Sequence, residues 1–506
     1  MPLRDGVGYL AFDALVSKCV PGATTRARRI RQIVAAHALG GFMQRWDATD
    51  RRGDPSPGSN GEDVETEFGT FQPAQARFSP SASAVLRGLW MGLLALGAAM
   101  WATTLPARRR RVAGSHTILI GTSTGDCIRD GSDKRFVEFC RHGPVSRLHP
   151  PTRLFVQSAH GGITSSDPQI EYSPRPLYGL LRGSDLTALA RLRLGMLLLV
   201  RATQALLGTC ADRQAALLVR DVIESAVVIA LVRAGKLERV LFTNSSASSQ
   251  PLWVRSGAVP CSMIWYSENS KWLWQVAEGE AEFPIYRHLC MEEHWVWTES
   301  HANWLRSLGP SGPIHVVGPI LWYPSHRAEP SKPSPIAWVT VFDILPLTPL
   351  RARAIGFVDD YYSCEACIGF LKGVVEAVER LKGGCKTDVR VRIKPKRVQA
   401  YMDPAYAEVL NALVRDGSVE VIDPKEDLFD LVRHSAISVV QPLSSPALVA
   451  AHMKARACYF DASARLRIPE HLDPAIMFVQ DVSSLERVIF DAVMAKSVDR
   501  PATIPS

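Results

Sequence analysis

Several familiar signatures are missing from this 506-residue chain, and each absence removes a class of function. There is no Gly-x-Gly-x-x-Gly fingerprint for a dinucleotide and no Walker A lysine loop, which argues against an ATPase. The ten cysteines are dispersed and form no dense, regular framework, so they read as reduced thiols of the cytoplasm rather than a secreted disulfide scaffold. Cys364-x-x-Cys367 has no second Cys or His pair at zinc spacing, and Asp359-Asp360 lacks the Asp-x-Asp spacing of a metal-dependent sugar-nucleotide site. No metal and no cofactor are therefore expected. The apolar stretch Leu10–Val16 is too short for a signal peptide, and no small-residue cleavage site follows it.

The remaining composition is that of a globular protein, 47% hydrophobic and 21% charged, long enough for two core-bearing domains and an extension. Lys and Arg number 58 against 50 Asp and Glu, a formal charge of +8 that favours anionic partners such as nucleotide sugars or acidic lipid headgroups. Nucleic acid is not expected, because the basic residues are scattered apart from Arg108–Arg111. Arg26, Arg28, Arg29 and Arg31 precede an apolar run from Ile33 to Phe42, either an amphipathic membrane-surface helix or a solvated one. Residues 53–83 turn to Pro, Ser, Gly and acidic side chains and read as a flexible linker. The uncharged run 88–105 follows, with Trp90 and Trp101 toward its ends. As a helix it would be about 27 Å long, enough to cross a hydrocarbon core, to lie in its surface, or to be buried in a soluble fold.

From Thr117 the texture is α/β. Short apolar runs end in small or polar turns, and long helical patterns fill 186–207 and 214–234. Arg191, Arg193 and Arg201 inside the first of these predict a packed or interfacial helix rather than a span. A Pro- and Ser-rich connector interrupts the alternation, which restarts at Ile336. The pattern predicts two Rossmann-like α/β domains, 113–320 and 336–506, joined by a hinge at 321–335 and preceded by an N-terminal extension, 1–112.

Candidate chemistry sits where strands end. The strand Ala436–Val440 runs into Gln441-Pro442-Leu443-Ser444-Ser445-Pro446 and restarts as a helix, so Ser444 and Ser445 are placed either to cap it or to hold a phosphate. Lys394, Lys396 and Arg397 follow another strand and suit donor phosphates, or else form a solvated basic turn. Glu268 and Asp343 are the carboxylates best placed to take a proton from an acceptor hydroxyl, and His160 in a Gly-rich turn is a third candidate base. Each of the two carboxylates has a structural alternative, capping a helix or pairing with a lysine.

Pro442-Leu443-Ser444-Ser445 resembles the Pro-Phe-Thr-Ser signature of the bacterial polysaccharide-biosynthesis PFTS-motif proteins, departing at Leu443 and Ser444 but keeping the hydroxyl pair. Ile264–Asn269, Trp297-Thr298, Val317–Pro319, Val341–Pro346 and Ile393–Arg397 resemble segments of the same family in the same order. The resemblance covers roughly Thr117 onward. It implies a GT-B-like glycosyltransferase of surface polysaccharide or O-antigen assembly, with the donor on the C-terminal domain and the acceptor on the N-terminal one. The implied partners are a nucleotide-sugar donor and a glycan or lipid-linked acceptor, at the cytoplasmic face of a membrane whose anionic surface is a further partner. Two alternatives stand beside it: a transferase using a CMP-linked Kdo- or sialic-acid-like donor or a polyol-phosphate donor, and a non-catalytic assembly or binding protein.

Overall fold

A computed structural model describes residues 64–66, 69–72, 77–80, 82–104, 114–120, 137, 139–150, 153–157, 167–211, 213–243, 251–265, 290–307, 312–319, 336–344, 346, 363–384, 387–395, 403–424, 426, 428–442, 444–464 and 472–498. Runs of apolar residues that are buried on both faces become strands of parallel sheets, because each parallel crossover lays a helix over one face.

The first large sheet holds β4 (His116–Ile120), β5 (Leu154–Gln157), β6 (Ile170–Ser173), β7 (Leu237–Thr243), β8 (Cys261–Ile264), β9 (Glu293–Val296) and β10 (Ile314–Val316). Their order is β10-β9-β8-β7-β4-β5-β6, and every pairing is parallel. A second sheet holds β11 (Ala337–Phe342), β12 (Val389–Lys394), β13 (Val419–Val421), β14 (Ser435–Val440), β15 (Ala457–Phe460) and β16 (Ile476–Val479), in the order β13-β12-β11-β14-β15-β16 and again wholly parallel. Each sheet runs outward from its first strand, returns, and runs outward on the other side, which is the doubly wound Rossmann order. The α/β class with two Rossmann-like units predicted from the sequence is the fold observed. The edge strands β6 and β16 were not predicted.

Helices cover these sheets: α1 (Ala82–Thr104), α2 (Pro144–Leu148), α3 (Pro176–Gly183), α4 (Ala188–Ala211), α5 (Val219–Arg233), α6 (Leu252–Arg255), α7 (Glu299–Ser307), α8 (Cys364–Lys382), α9 (Pro404–Arg415), α10 (Leu428–His434), α11 (Ser445–His452) and α12 (Val482–Val498). A six-residue 3-10 segment, Arg213–Leu218, leads into α5. The core of the first half includes Ala95, Ala99 and Ala102 of α1 alongside Val227 and Leu231 of α5. So α1, assigned to the extension by composition, is part of the N-terminal unit's core. A further apolar cluster draws members from both sheets, among them Leu241, Ile264 and Trp297 from the first and Phe342, Val440 and Tyr459 from the second. The halves also approach closely where Gly318, at φ +81°, faces the His452 ring: a Cβ there would lie 3.2 Å from its Cε1.

The expected linker 53–83 is corrected in its second half. There β1 (Val64–Thr66), β2 (Gly69–Gln72) and β3 (Arg77–Pro80) form a three-stranded antiparallel sheet, with Phe71 in register with Phe78. Average composition over thirty residues hid three short strand-forming segments. The expected hinge, 321–335, lies outside the described residues, as do the Ile33–Phe42 run and Arg108–Arg111.

The seating of α1 depends on small residues. Gly92, Ala95, Ala99 and Ala102 recur every three or four positions and are all buried, and a Cβ on Gly92 would sit 2.2 Å from Val219 Cγ1. Gly92→Ala is therefore expected to overpack the α1–α5 contact and cost about 1–3 kcal/mol. Gly97→Ala, whose Cβ meets nothing within 4 Å, should stabilise slightly; denaturant midpoints of the two variants check the contrast.

Candidate functional site

In a doubly wound sheet the two strands that leave in opposite directions open a crevice beyond their carboxyl ends, and ligands gather there. In the C-terminal sheet that point lies between β11 and β14, whose chains leave at Asp343 and Gln441. Neighbouring strands deliver Lys394 from β12, Asp461 from β15 and Gln480 from β16 to the same edge. In the N-terminal sheet the corresponding point lies between β4 and β7, beyond Ile120 and Thr243.

Asp343 is buried, and the Tyr406 hydroxyl of α9 donates to its Oδ2. Burial, with the Asp343 carboxylate beside it, pushes the Tyr406 phenol far above its ordinary pKa, so it remains a donor. This partner ties the end of β11 to α9 and occupies one of the two oxygens expected to act as base. Beside it, Gln441 is almost fully buried and its Nε2 donates to Cys367 Sγ at 3.3 Å. Burial raises the Cys367 thiol to about 12 and Cys364 to about 11, and both are free thiols. The Cys-x-x-Cys pair thus opens α8 and packs against the polar edge.

Ser444 and Ser445 are both buried at the start of α11. Ser444 stands in the N-cap position in extended conformation, yet its side chain does not cap the helix. Its hydroxyl instead donates back to the Gln441 carbonyl at 2.8 Å, and its own carbonyl accepts from Tyr459 Oη at 3.0 Å. Ser444 is therefore a turn-holding residue. The amino end of α11, the positive end of its dipole, follows directly on the turn that leaves the carboxyl end of β14.

Lys394 is at the same sheet edge but not at the switch point. Its ammonium donates to the Pro424 carbonyl beyond β13, and burial lowers it to about 8 against the attraction of Asp423 and Glu426. Lys394 ends β12 and Ser444 follows β14, on opposite sides of the central strand β11.

Glu268, His160, Lys396 and Arg397 lie outside the described residues, as do Asp359 and Asp360. His160, Glu268, Lys396 and Arg397 each lie a few positions past the end of a described strand. Gly121-Thr122-Ser123-Thr124-Gly125, which follow β4 in sequence with Gly-x-Ser-x-Gly spacing, also lie outside the described residues. Trp253 and Trp265 are fully buried core residues.

Sequence reasoning overlooked Tyr406, Gln441 and Asp461. Asp461, nearly fully buried, accepts from the Ser463 hydroxyl at 2.5 Å and from Gln480 Nε2 at 3.2 Å. The available signal was a polar residue ending an apolar run, as in Val440-Gln441 and Phe460-Asp461. Another buried carboxylate cluster is at the wrong end for a ligand crevice: Glu293 starts β9 and is held by Ser262, Arg239 and His149 at 2.5, 2.9 and 3.1 Å. Burial raises its pKa, but those partners outweigh burial and leave it below the usual range.

Paired doubly wound units with polar residues at the carboxyl edge of a switch point define a two-unit α/β protein built to bind a ligand. The chain belongs to the polysaccharide biosynthesis PFTS motif protein family, whose model matches residues 202–489, more than half its length. No curated protein matches it. Similar solved structures include TarM, at 9% identity and TM-score 0.32, where 54% of this chain covers 52% of that one. A TarM mutant from S. aureus, solved with fondaparinux, alpha-GlcNAc-glycerol and UDP, gives 10% identity and TM-score 0.34, covering 54% of this chain and 53% of that one. The trehalose-6-phosphate synthase OtsA gives 10% identity and TM-score 0.40 over 76% of this chain and 92% of that one. The chain thus spans about half the length of the TarM structures it matches.

The Tyr406–Asp343 bond sets a measurable dependence. Tyr406→Phe leaves a buried carboxylate short of a donor and should cost about 1–3 kcal/mol in chemical denaturation. The double variant Tyr406→Phe/Asp343→Asn should cost less than the sum of its singles.

Proposed function

We propose that this protein is a glycosyltransferase of surface polysaccharide assembly, GT-B-like in arrangement, that moves a sugar from a nucleotide donor to a glycan or lipid-linked acceptor. The observation that carries the reading is the pair of switch points, one per unit, in a chain of a polysaccharide-biosynthesis family. Two crevices on two units give donor and acceptor separate walls, so that holding both converts a bimolecular step into an oriented one. In this reading the acceptor oxygen bonds to the anomeric carbon as the bond to the nucleotide phosphate breaks. A base receives the acceptor proton, and positive groups take up the charge developing on the leaving phosphate.

The α11 amino end and Lys394 serve the leaving phosphate, with Lys396 and Arg397 on the loop that follows. Asp343, held by Tyr406, orients the donor side, which leaves Glu268 and His160 as the candidate bases on the acceptor side. No cofactor or metal is required by this scheme. Its workplace is the cytoplasmic face of the cell membrane. The engagement of Asp343 with Tyr406 favours one alternative, a binding protein of polysaccharide assembly that keeps the crevice without turnover. A Kdo- or sialic-acid-like CMP donor would give the same edge one phosphate fewer to hold, and a polyol-phosphate donor is the other alternative.

Titration with UDP-, GDP-, dTDP- and CMP-sugars should raise the melting temperature selectively for one nucleotide, since a ligand that binds only the folded state stabilises it as ln(1 + [L]/Kd). Replacing Ser445 by Ala and Lys394 by Met should abolish the shift. Flat curves for all four nucleotides from folded protein overturn the donor site, and a shift without turnover supports the binding-protein reading. Because the Lys394 ammonium is lowered to about 8, it is charged below that pH and neutral above it. Donor affinity should therefore fall as pH rises through about 8, and Lys394→Met should flatten that part of the profile in calorimetric titrations.

A further inference from the structure

Twelve of the seventeen large apolar side chains exposed among the described residues lie on just two helices, α1 and α4. Their pattern is inverted relative to an ordinary surface helix. On α4, Leu192, Met196 and Leu199 point outward at 65%, 58% and 65% exposure, while Leu194 and Leu198 are buried. On α1 the small stripe Gly92, Ala95, Ala99 and Ala102 faces the core, and Trp90, Leu93 and Trp101 face out. Both helices flank α5 and share its core, and they touch where Arg191 Nη1 donates to the Thr103 carbonyl at 3.4 Å. A monomer in water seldom leaves so many large apolar groups together on one face.

The charge on this face has one sign. The two helices carry Arg87, Arg191, Arg193 and Arg201 and not one Asp or Glu. Arg87 and Arg193 are exposed among the outward apolar residues, and the Arg182 guanidinium of α3 stacks 4.1 Å from the Trp101 ring centroid. A second copy docking through the same face would bring arginines against arginines with no carboxylate on either helix to answer them. Anionic lipid headgroups answer them directly, while the Leu, Met and Trp side chains enter the acyl boundary.

We propose that the joined outer faces of α1 and α4 are a monotopic docking surface for an anionic lipid bilayer, with both helices lying in the plane of the membrane. Each is long and apolar enough to cross a bilayer, with 22% and 28% of its apolar window buried. A crossing is disfavoured because the buried stripe of α1 is part of the N-terminal core, and withdrawing it would empty that core. Arg191, Arg193 and Arg201 weigh equally against α4 as a span. The inference stands apart from the transferase reading, since lipid binding needs neither donor nor acceptor.

The test uses the full chain and vesicles of phosphatidylcholine with or without phosphatidylglycerol. Co-flotation is expected with the anionic vesicles and weak with the neutral ones, weakening as salt is raised. Lipids brominated along the acyl chain should quench tryptophan emission, and Trp90→Phe/Trp101→Phe should remove most of that quenching. The triple variant Leu192→Ser/Met196→Ser/Leu199→Ser, all at exposed positions, should keep its melting temperature and lose at least about tenfold in vesicle partition. Arg87→Gln/Arg193→Gln should lose the preference for anionic lipid while folding normally. Three results overturn the proposal: no flotation with folded protein; a soluble dimer that the triple variant dissociates, which makes a second copy the occupant; or resistance to alkaline extraction, which makes the helices spans.

Discussion

Every strand of both large sheets runs parallel to its neighbours, and the molecule is organised by that constraint. A parallel pair cannot be closed by a tight turn, so each strand must be followed by a crossover that returns over one face. Seven strands and six strands wound this way need helices on both sides, and they gather all strand ends of one polarity along one edge. The position of the crevice follows from the topology: beyond β11 and β14 the chain leaves in opposite directions, which opens the sheet end between them.

The same constraint explains the chemistry found there. Strand residues facing covered sheets are apolar, so the first polar residue after each strand is drawn to the edge, where it has to find a partner. Asp343 finds Tyr406, Gln441 finds Cys367, Asp461 finds Ser463 and Gln480, and Lys394 finds the Pro424 carbonyl. The edge is a set of satisfied polar contacts at the end of an apolar sheet, and satisfaction of this kind holds a site in one shape. Glu293 shows the contrast: a carboxylate equally well held, at the opposite ends of the strands, with no crevice to serve.

The covering layer of the N-terminal unit carries a second consequence. Its helices α1, α4 and α5 are all apolar, and only the middle one is enclosed. A layer needed to cover a sheet thereby presents its own outer side to the surroundings. Small residues on the inner side of α1 let the helix approach α5 closely and leave its large side chains no place but outward.

The α/β class, the two alternating halves and most strands were legible in the sequence, because periodicity and strand-ending turns are local properties. The serine turn was legible too, and so was the family, from a handful of strand-end segments in order. Three short strands between 64 and 80 were not, since averaged composition conceals segments of three or four residues. Tyr406 lies sixty-three positions from Asp343, and no local pattern announces that the two meet. The sequence carried Ser444 and Ser445 as caps or phosphate ligands, and only the fold decided that Ser444 turns its hydroxyl back to Gln441. It likewise carried two apolar helices of uncertain address. Which side of each is buried depends on what packs against it, and that is decided by tertiary contacts between residues far apart in the chain.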